Sequence, residues 1–262
     1  MATSDAPLSI GRVALTVRDL DAVGGFYESV LGLNRLRQDG GTLVLGSGDR
    51  PLIELREDRA ARSRPEEAGL FHVAFLLPDR ASLARWLVHA ADRGVRLDGA
   101  SDHLVSEALY LADPEGNGIE VYRDRPRERW TAADGRVEMD TRALDLDALA
   151  GAADGRWAGA PDGTVIGHVH LQVGDVEASD RFATERLGLA RTARLPSAGF
   201  YGSGGYHHHL AGNAWRSRGA GTRTPGAAGL AEVELLAAPG TLPAGTLVDP
   251  WGTVFAVTSA LA

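Results

Sequence analysis

The sequence contains no cysteine, which excludes disulfide frameworks, thiolate metal sites and cysteine nucleophiles together. It also lacks an excess of positive charge. Its 27 Lys and Arg face 35 Asp and Glu, a net charge of −8 with neutral histidines. No basic stretch is long enough to neutralise a run of phosphates, so a nucleic-acid partner is not expected. No apolar run approaches the roughly 18 residues that cross a bilayer. The N-terminal stretch MATSDAPLSIG has no basic region followed by an apolar one, so neither membrane insertion nor secretion is expected and the chain reads as cytoplasmic. What is present is ordinary for a folded protein: 44% apolar and 24% charged residues in 262, enough for one large domain or two small ones. Any chemistry must come from His, Asp, Glu and Tyr.

The chain repeats itself. Residues 10–33, IGRVALTVRDLDAVGGFYESVLGL, align without a gap on residues 166–189, IGHVHLQVGDVEASDRFATERLGL, at a constant offset of 156. Repeats of this kind outrank local propensity as a guide to architecture. Alternating Val13, Leu15 and Val17 read as a half-buried strand. Asp19 is placed to cap a helix whose apolar positions, including Leu20, Val23, Phe26, Tyr27 and Val30, recur every three or four residues, and Gly32 is placed to end it. Short strand-like runs follow at Thr42–Leu45 and Pro51–Leu55. The unit is a strand, a helix and three strands.

A weaker repeat lies inside each copy. Gly69–Phe75 begins a strand, and a helix carries Leu83, Trp86, Leu87 and Ala90 on one face. Strands follow at Ala108–Leu111 and Ile119–Tyr122 around the turn Asp113–Gly118. Gly229–Leu235 and Asp249–Gly252 are the counterparts in the second copy. Between those landmarks the offset falls from 160 to 136, so the fourth unit has lost 24 residues, its helix among them. The expected organisation is α+β: four βαβββ units in two tandem domains, residues 8–123 and a shortened 164–262. Residues 124–163 join them as a linker whose short apolar stretch, Ala143–Leu149, is expected to pack on the surface.

The four-fold βαβββ pattern, with its GxxxLxVxDL…FYxxxLGL and DPxGNxIExY segments, resembles the vicinal oxygen chelate superfamily of glyoxalases, bleomycin resistance proteins and extradiol dioxygenases. Ser106–Pro114 through Tyr122, Gly167-His168-Val169-His170-Leu171 and Gly205–Leu210 look most like two-domain bacterial catechol 2,3-dioxygenase-like proteins. The resemblance covers nearly the whole chain except the shortened fourth unit. It implies paired units curling into cupped sheets, with metal ligands on the first strand of each unit and on a last strand.

On that pattern the candidate positions are Arg12, His72, Glu120, His168, Glu232 and Ala256. Arginine has no lone pair to donate and alanine has no donor, so units one and four read as empty. His72, His168 and Glu120 remain: two imidazoles and a carboxylate, the facial triad that binds non-haem Fe(II) with positions open for substrate and oxygen. This requires units two and three to share one cup across the two domains, with units one and four closing a second, non-functional one. Two other groupings stay open, Glu54–His72–Glu120 within the first domain and His168–His209–Glu232 within the second. A lone strand histidine is more often a packed core residue than a ligand, but His72 and His168 stand at repeat-equivalent positions. Glu120 lies between apolar neighbours and must point opposite to them.

Ring cleavage also needs proton handling, because a catechol must lose a proton to chelate. The resemblance assigns the base to the run His207-His208-His209, read as the fourth strand of unit three, with His208 favoured and His209 next. It assigns a second proton donor to His103, and Tyr110 is placed to hydrogen-bond the phenolate. His170 points the same way as His168 and is a candidate neighbour of the site. The glycine-rich stretch 202–205 and the Arg216–Arg223 segment read as loops over the site.

The reading is an Fe(II)-dependent extradiol dioxygenase, with Mn(II) or another divalent ion as the alternative cofactor. Its partners are a small aromatic substrate and O₂, and a homo-oligomer is compatible with the sequence. The alternatives are a glyoxalase-type metal-dependent isomerase or lyase and a non-catalytic protein that sequesters an aromatic antibiotic.

Overall fold

The computed structural model describes residues 5–130 and 137–259; residues 1–4, 131–136 and 260–262 lie outside it. The first unit comprises β1 (Leu8–Val17), α1 (Leu20–Ser29), β2 (Asn34–Asp39), β3 (Thr42–Ser47) and β4 (Arg50–Glu57). The second comprises β5 (Gly69–Leu76), α2 (Arg80–Asp92), β6 (Gly99–Asp102), β7 (Ser106–Ala112) and β8 (Gly118–Asp124). The linker contributes a two-residue strand, β9 (Arg142–Ala143), and a short helix, α3 (Leu146–Ala150). The third unit follows with β10 (Val165–Gln172), α4 (Val176–Arg181, continued by one wide turn to Arg186), β11 (Ala190–Leu195), β12 (Ala198–Gly202) and β13 (Leu210–Asn213). The fourth keeps only β14 (Gly229–Ala237), β15 (Gly245–Val248) and β16 (Val254–Ser259), with no helix among its described residues.

The repeat is visible in local chemistry. Asp19, Asp79 and Asp175 each cap a helix by accepting from the amide of Ala22, Ser82 and Ala178, satisfying a donor that the helix leaves free. Gly32 and its counterpart Gly188 end their helical segments at φ +67° and +68°, a conformation that a side chain disfavours. At Gly32 an added Cβ would also meet the backbone of Gly159 and the indole of Trp157.

The strands form two sheets. One has seven strands in the order β15-β16-β14-β1-β4-β3-β2, and the other nine in the order β11-β12-β13-β10-β5-β8-β7-β6-β9. Each is centred on an antiparallel pair that joins the two halves of the sequence: β1 with β14, and β5 with β10. Units one and four therefore share one sheet, and units two and three share the other. Val13, Leu15 and Val17, Val73 and Phe75, and Val169 and Leu171 all enter one apolar core common to both sheets. Each such side chain contributes about 1.5–3 kcal/mol when fully buried. That commits the alternate residues of the same strands to the outer, concave faces.

Two bulges interrupt the β5–β10 ladder, one at Gly167 and one at Phe71. The register is His168 opposite Ala74 and His170 opposite His72. Beyond the second bulge Phe71 no longer obeys strict alternation, and its ring packs on His72 and His170, 5.3 and 5.0 Å away. Re-aiming a side chain is a common consequence of a bulge.

Two expectations need correction. His207–His209 are not strand residues; they precede β13 in the turn from β12. They still run beside β10, because His209 receives the amide of Val169 on its carbonyl and gives its own amide to Tyr201. The linker does more than cover the surface, since Leu149 of α3 and Trp130 are both almost fully buried. Among the described residues no helix is long and apolar enough to cross a membrane.

Candidate metal centre

The nine-stranded sheet brings His72 of β5, Glu120 of β8 and His168 of β10 together on its concave face. Ala74 pairs with both Glu120 and His168, so the strand order itself sets the three side chains around one point. The distances are 3.0 Å from His72 Nε2 to Glu120 Oε2, 3.1 Å from His168 Nε2 to the same oxygen, and 3.3 Å between the two Nε2 atoms. All three residues are buried. Among the described residues they form the one such group of His, Cys, Asp or Glu that could hold an ion.

Donors about 2.1 Å from an ion and at right angles to one another stand about 3.0 Å apart, so this triangle has the dimensions of one octahedral face. Three lone-pair-bearing atoms aimed at each other out of water require a proton or a cation among them. A divalent metal fits the donor set, and two imidazoles with one carboxylate leave the remaining positions open. The electrostatics agree. Burial raises the Glu120 carboxyl, but the two imidazoles outweigh it and hold the group well below the carboxylate range. Burial lowers His168, opposed by Glu120, in the direction of the neutral imidazole that a metal takes. His168 Nδ1 has no hydrogen-bond partner among the described residues, so its ring is positioned by packing on Tyr122 and His208.

His208 is the member of the histidine run that reaches this centre, its ring centroid 4.2 Å from that of His168. His207 lies behind it. Asp124, at the end of β8, accepts from His207 Nε2 at 2.8 Å, and His207 Nδ1 faces His208 Nδ1 at 2.8 Å. A carboxylate only accepts, so His207 carries a proton on Nε2, and in the neutral ring Nδ1 then accepts. His208 must then donate from Nδ1, and its Nε2 is left with a free lone pair. Tyr206 also donates to Asp124 and meets the hydroxyl of Tyr122 at 2.7 Å, while Trp130 packs on His207. Burial holds His208 well below the ordinary imidazole range, reinforced by the neighbouring histidines.

His209 turns away. Its Nδ1 accepts from the Ser203 amide at 3.2 Å and its ring lies on Tyr206. His103 and Tyr110 are brought together on the far side of His72. His103 Nδ1 donates to the carbonyl of Asp140 at 2.9 Å, so its Nε2 accepts from the Tyr110 hydroxyl at 2.7 Å. Tyr110 stands 5.6 Å from His72, ring to ring, and opposite Glu120 in the ladder. Burial keeps its hydroxyl protonated, with help from the charge on Glu120. His170 is buried beside His72, and its Nε2 receives the side-chain amide of Asn213 at 3.0 Å. That lone pair is therefore engaged.

Phe71, His170, Phe200 and the half-exposed Trp215 form an aromatic wall around this end of the cup. From His72 and Tyr110 a cleft of about 620 Å³ runs outward between the ends of β5, β7 and β8 and the segment 223–230.

Asp124, Tyr206, Trp130 and Phe71 also belong to this region, and no sequence motif assigned them to it. Asp124 is the fourth residue after Glu120 on one strand, an available hint. The others depend on a turn, a linker and a bulge.

The two alternative groupings fail because Glu54 and Glu232 belong to the other sheet. There Arg12 occupies the position repeat-equivalent to His168, and its guanidinium bridges Glu54 and, at 3.4 Å, Glu232. Arg56 joins the same two carboxylates. A fixed organic cation stands in the second cup where the first presents metal donors.

Comparison with known proteins agrees with this architecture. Residues 9–121 match the Glyoxalase/Bleomycin resistance protein/Dioxygenase superfamily. A catechol-2,3-dioxygenase of Bacillus subtilis (strain 168) is 41% identical over 228 residues, covering 84% of this chain and 80% of that protein. Among solved structures, a putative dioxygenase from Bacillus subtilis subsp. subtilis str. 168 superposes with a TM-score of 0.63 at 14% identity, covering 97% of this chain and 86% of that one. Glyoxalase I from Zea mays gives 0.57 at 17% identity, covering 96% and 92%. These two likenesses bear on the fold. With its two curled sheets, its buried His–Glu–His cluster and its catechol-dioxygenase relative, the chain belongs to the glyoxalase/bleomycin resistance/dioxygenase superfamily, the vicinal oxygen chelate proteins.

Proposed function

We propose that the protein is an Fe(II)-dependent extradiol dioxygenase that cleaves a catechol-like ring beside its two hydroxyls, with both atoms of O₂ entering the ring-opened product. The observation that carries this reading is the convergence of His72 Nε2, His168 Nε2 and Glu120 Oε2 within hydrogen-bonding distance of one another. These three residues would hold the iron. When bound, Fe(II) supplies a centre at which the vicinal oxygens of a catechol and O₂ react without the spin and orientation barriers they meet in solution.

The protein's own groups handle protons and orientation. His208, with Nε2 unprotonated and beside His168, accepts the proton a catechol sheds on binding. Asp124 and His207 hold His208 in that tautomer. Tyr110 keeps its hydrogen, which His103 Nε2 holds until a bound substrate oxygen accepts it instead, so that His103 orients the hydroxyl. Phe71, Phe200 and Trp215 exclude water and offer faces to a planar ring. His209 serves to position the turn. A glyoxalase-type isomerase would need a further carboxylate as a fourth ligand, and no second acid joins His72, Glu120 and His168 among the described residues.

The test is reconstitution with Fe(II) under argon, followed by addition of catechol and air. Stoichiometric oxygen uptake with a yellow ring-opened product is expected. No uptake with several catechols by a fully iron-loaded protein would overturn the reading.

A further inference from the structure

The cleft that leads away from His72 and Tyr110 has a charged far end that the chemistry above does not use. Arg223 lines it. The backbone of Arg223 is fixed by its amide donating to the carbonyl of Trp251, and its Nη1 donates to the carbonyl of Leu230. The opposite edge of the guanidinium, Nε and Nη2, has no hydrogen bond and no ion pair within 4.0 Å among the described residues. That edge lies over Gly69, where an added Cβ would stand 3.3 Å from Nε and 3.7 Å from Nη2. Gly69 adopts φ +150°, so the residue that leaves this edge open also has a backbone few side chains tolerate.

A half-buried guanidinium with no carboxylate within 4.0 Å among the described residues, Asp249 and Glu67 reaching it only at longer range, is an uncommon wall for a cavity. Its free Nε–Nη2 edge is the geometry that grips a carboxylate with two parallel hydrogen bonds. Nearby acids do not fill that role: Asp249, whose charge acts on Arg223 most strongly, accepts from the amides of Trp251 and Thr253. Glu67 is held by the amide and hydroxyl of Thr224, and Glu115 by the amides of Arg18 and Asp19. Asp98 lies beside Gly99, on the β6 side of the cleft. Arg216 adds a second positive charge to the lining.

We propose that Arg223 receives an anionic group on the substrate, so that the preferred ligand is a catechol bearing a carboxylate on a short arm away from its hydroxyls. The proposal rests on the ring-cleaving reading for the position of the hydroxyls. Gly69 precedes His72 by three residues of strand, roughly 10 Å, a span that a dihydroxyphenyl ring and a one- or two-carbon acid arm fill.

The test uses the Fe(II)-loaded full chain and four probes: catechol, 4-methylcatechol, 3,4-dihydroxyphenylacetate and dopamine. Anaerobic calorimetry gives Kd, and oxygen uptake gives kcat/KM. The acid is expected to bind about tenfold more tightly than 4-methylcatechol, with dopamine weakest. In Arg223→Gln the acid-to-methyl ratio is expected to fall to about one, and Arg223→Lys to retain part of it. Thermal melts of both variants establish that they are folded. Cleavage of catechol by a wild type with no acid preference, or with a preference that survives Arg223→Gln, overturns this inference and leaves the ring-cleaving reading intact. Tight, Arg223-dependent binding of the acid with no cleavage of any probe supports the anion site and overturns the ring-cleaving reading.

Discussion

Asp124 Oδ1 and His207 Nε2 stand 2.8 Å apart, and this contact decides which nitrogen of the neighbouring His208 carries a proton. The side chains come from the end of β8 and from the turn before β13, so the contact also ties the second unit to the third. Asp124→Asn replaces an obligate acceptor with a side chain that can donate as well, and the tautomers of His207 and His208 are no longer fixed. A fall in kcat of about 10- to 100-fold is expected, with iron content unchanged, and a fall of about 100-fold or more for His208→Gln. The double variant is expected to be no slower than His208→Gln alone, because both changes act on one proton acceptor. Oxygen-uptake kinetics would check this; multiplying effects would show that Asp124 acts elsewhere.

Stability is expected to depend on pH through His209. Burial above all pushes its pKa down to about 3, against about 6.5 in an unfolded chain. Between those values the unfolded state binds a proton that the folded state refuses. The contribution of neutral His209 to stability is therefore fully present above about pH 6.5 and is lost progressively as pH falls toward about 3. Tm should drop on acidification from about pH 6.5 to about 4, and His209→Phe should drop less steeply over that interval. Parallel pH profiles for the two proteins would contradict this.

Much of the site was legible in the sequence. The four-fold repeat, the constant offset together with the weaker repeat inside each copy, placed His72 and His168 at equivalent first-strand positions, and the alternation in Ile119-Glu120-Val121 turned Glu120 away from the core. The arginine at position 12 marked the first unit as unable to bind a metal. Less legible was anything set by irregular backbone. Alternation predicted a strand for His207–His209, but the preceding glycines form a turn, so which ring faces the metal donors depends on that turn. Phe71 enters the cup through a bulge. Trp130 and the Asp140 carbonyl come from a linker whose composition suggested only surface.

The second cup offers a separate test. Arg12 bridges Glu54 and Glu232 at a partly exposed site, and Arg56 remains to neutralise the pair if Arg12 is removed. Arg12→Ala is expected to cost about 1–2 kcal/mol of unfolding free energy, measured by urea denaturation. Iron content and turnover should not change, because the two cups lie on different sheets. Loss of iron from this variant would show that the second cup supports the first.

Tyr110 and His103 form the other arm of the site. Tyr110→Phe removes the hydroxyl that His103 Nε2 binds. A fall in kcat/KM of about 10-fold or more is expected, with the KM for catechol raised and iron retained. Unchanged steady-state kinetics would remove Tyr110 from the reaction.

The most direct measurement is the iron content and oxygen uptake of the reconstituted protein beside His72→Ala, His168→Ala and Glu120→Ala. The expected result is one Fe(II) per wild-type chain with catechol-dependent uptake, and loss of both in each variant while its circular dichroism stays native. Retention of a full equivalent of iron and of activity by any one of the three would contradict the claim that the second and third units jointly hold the catalytic metal.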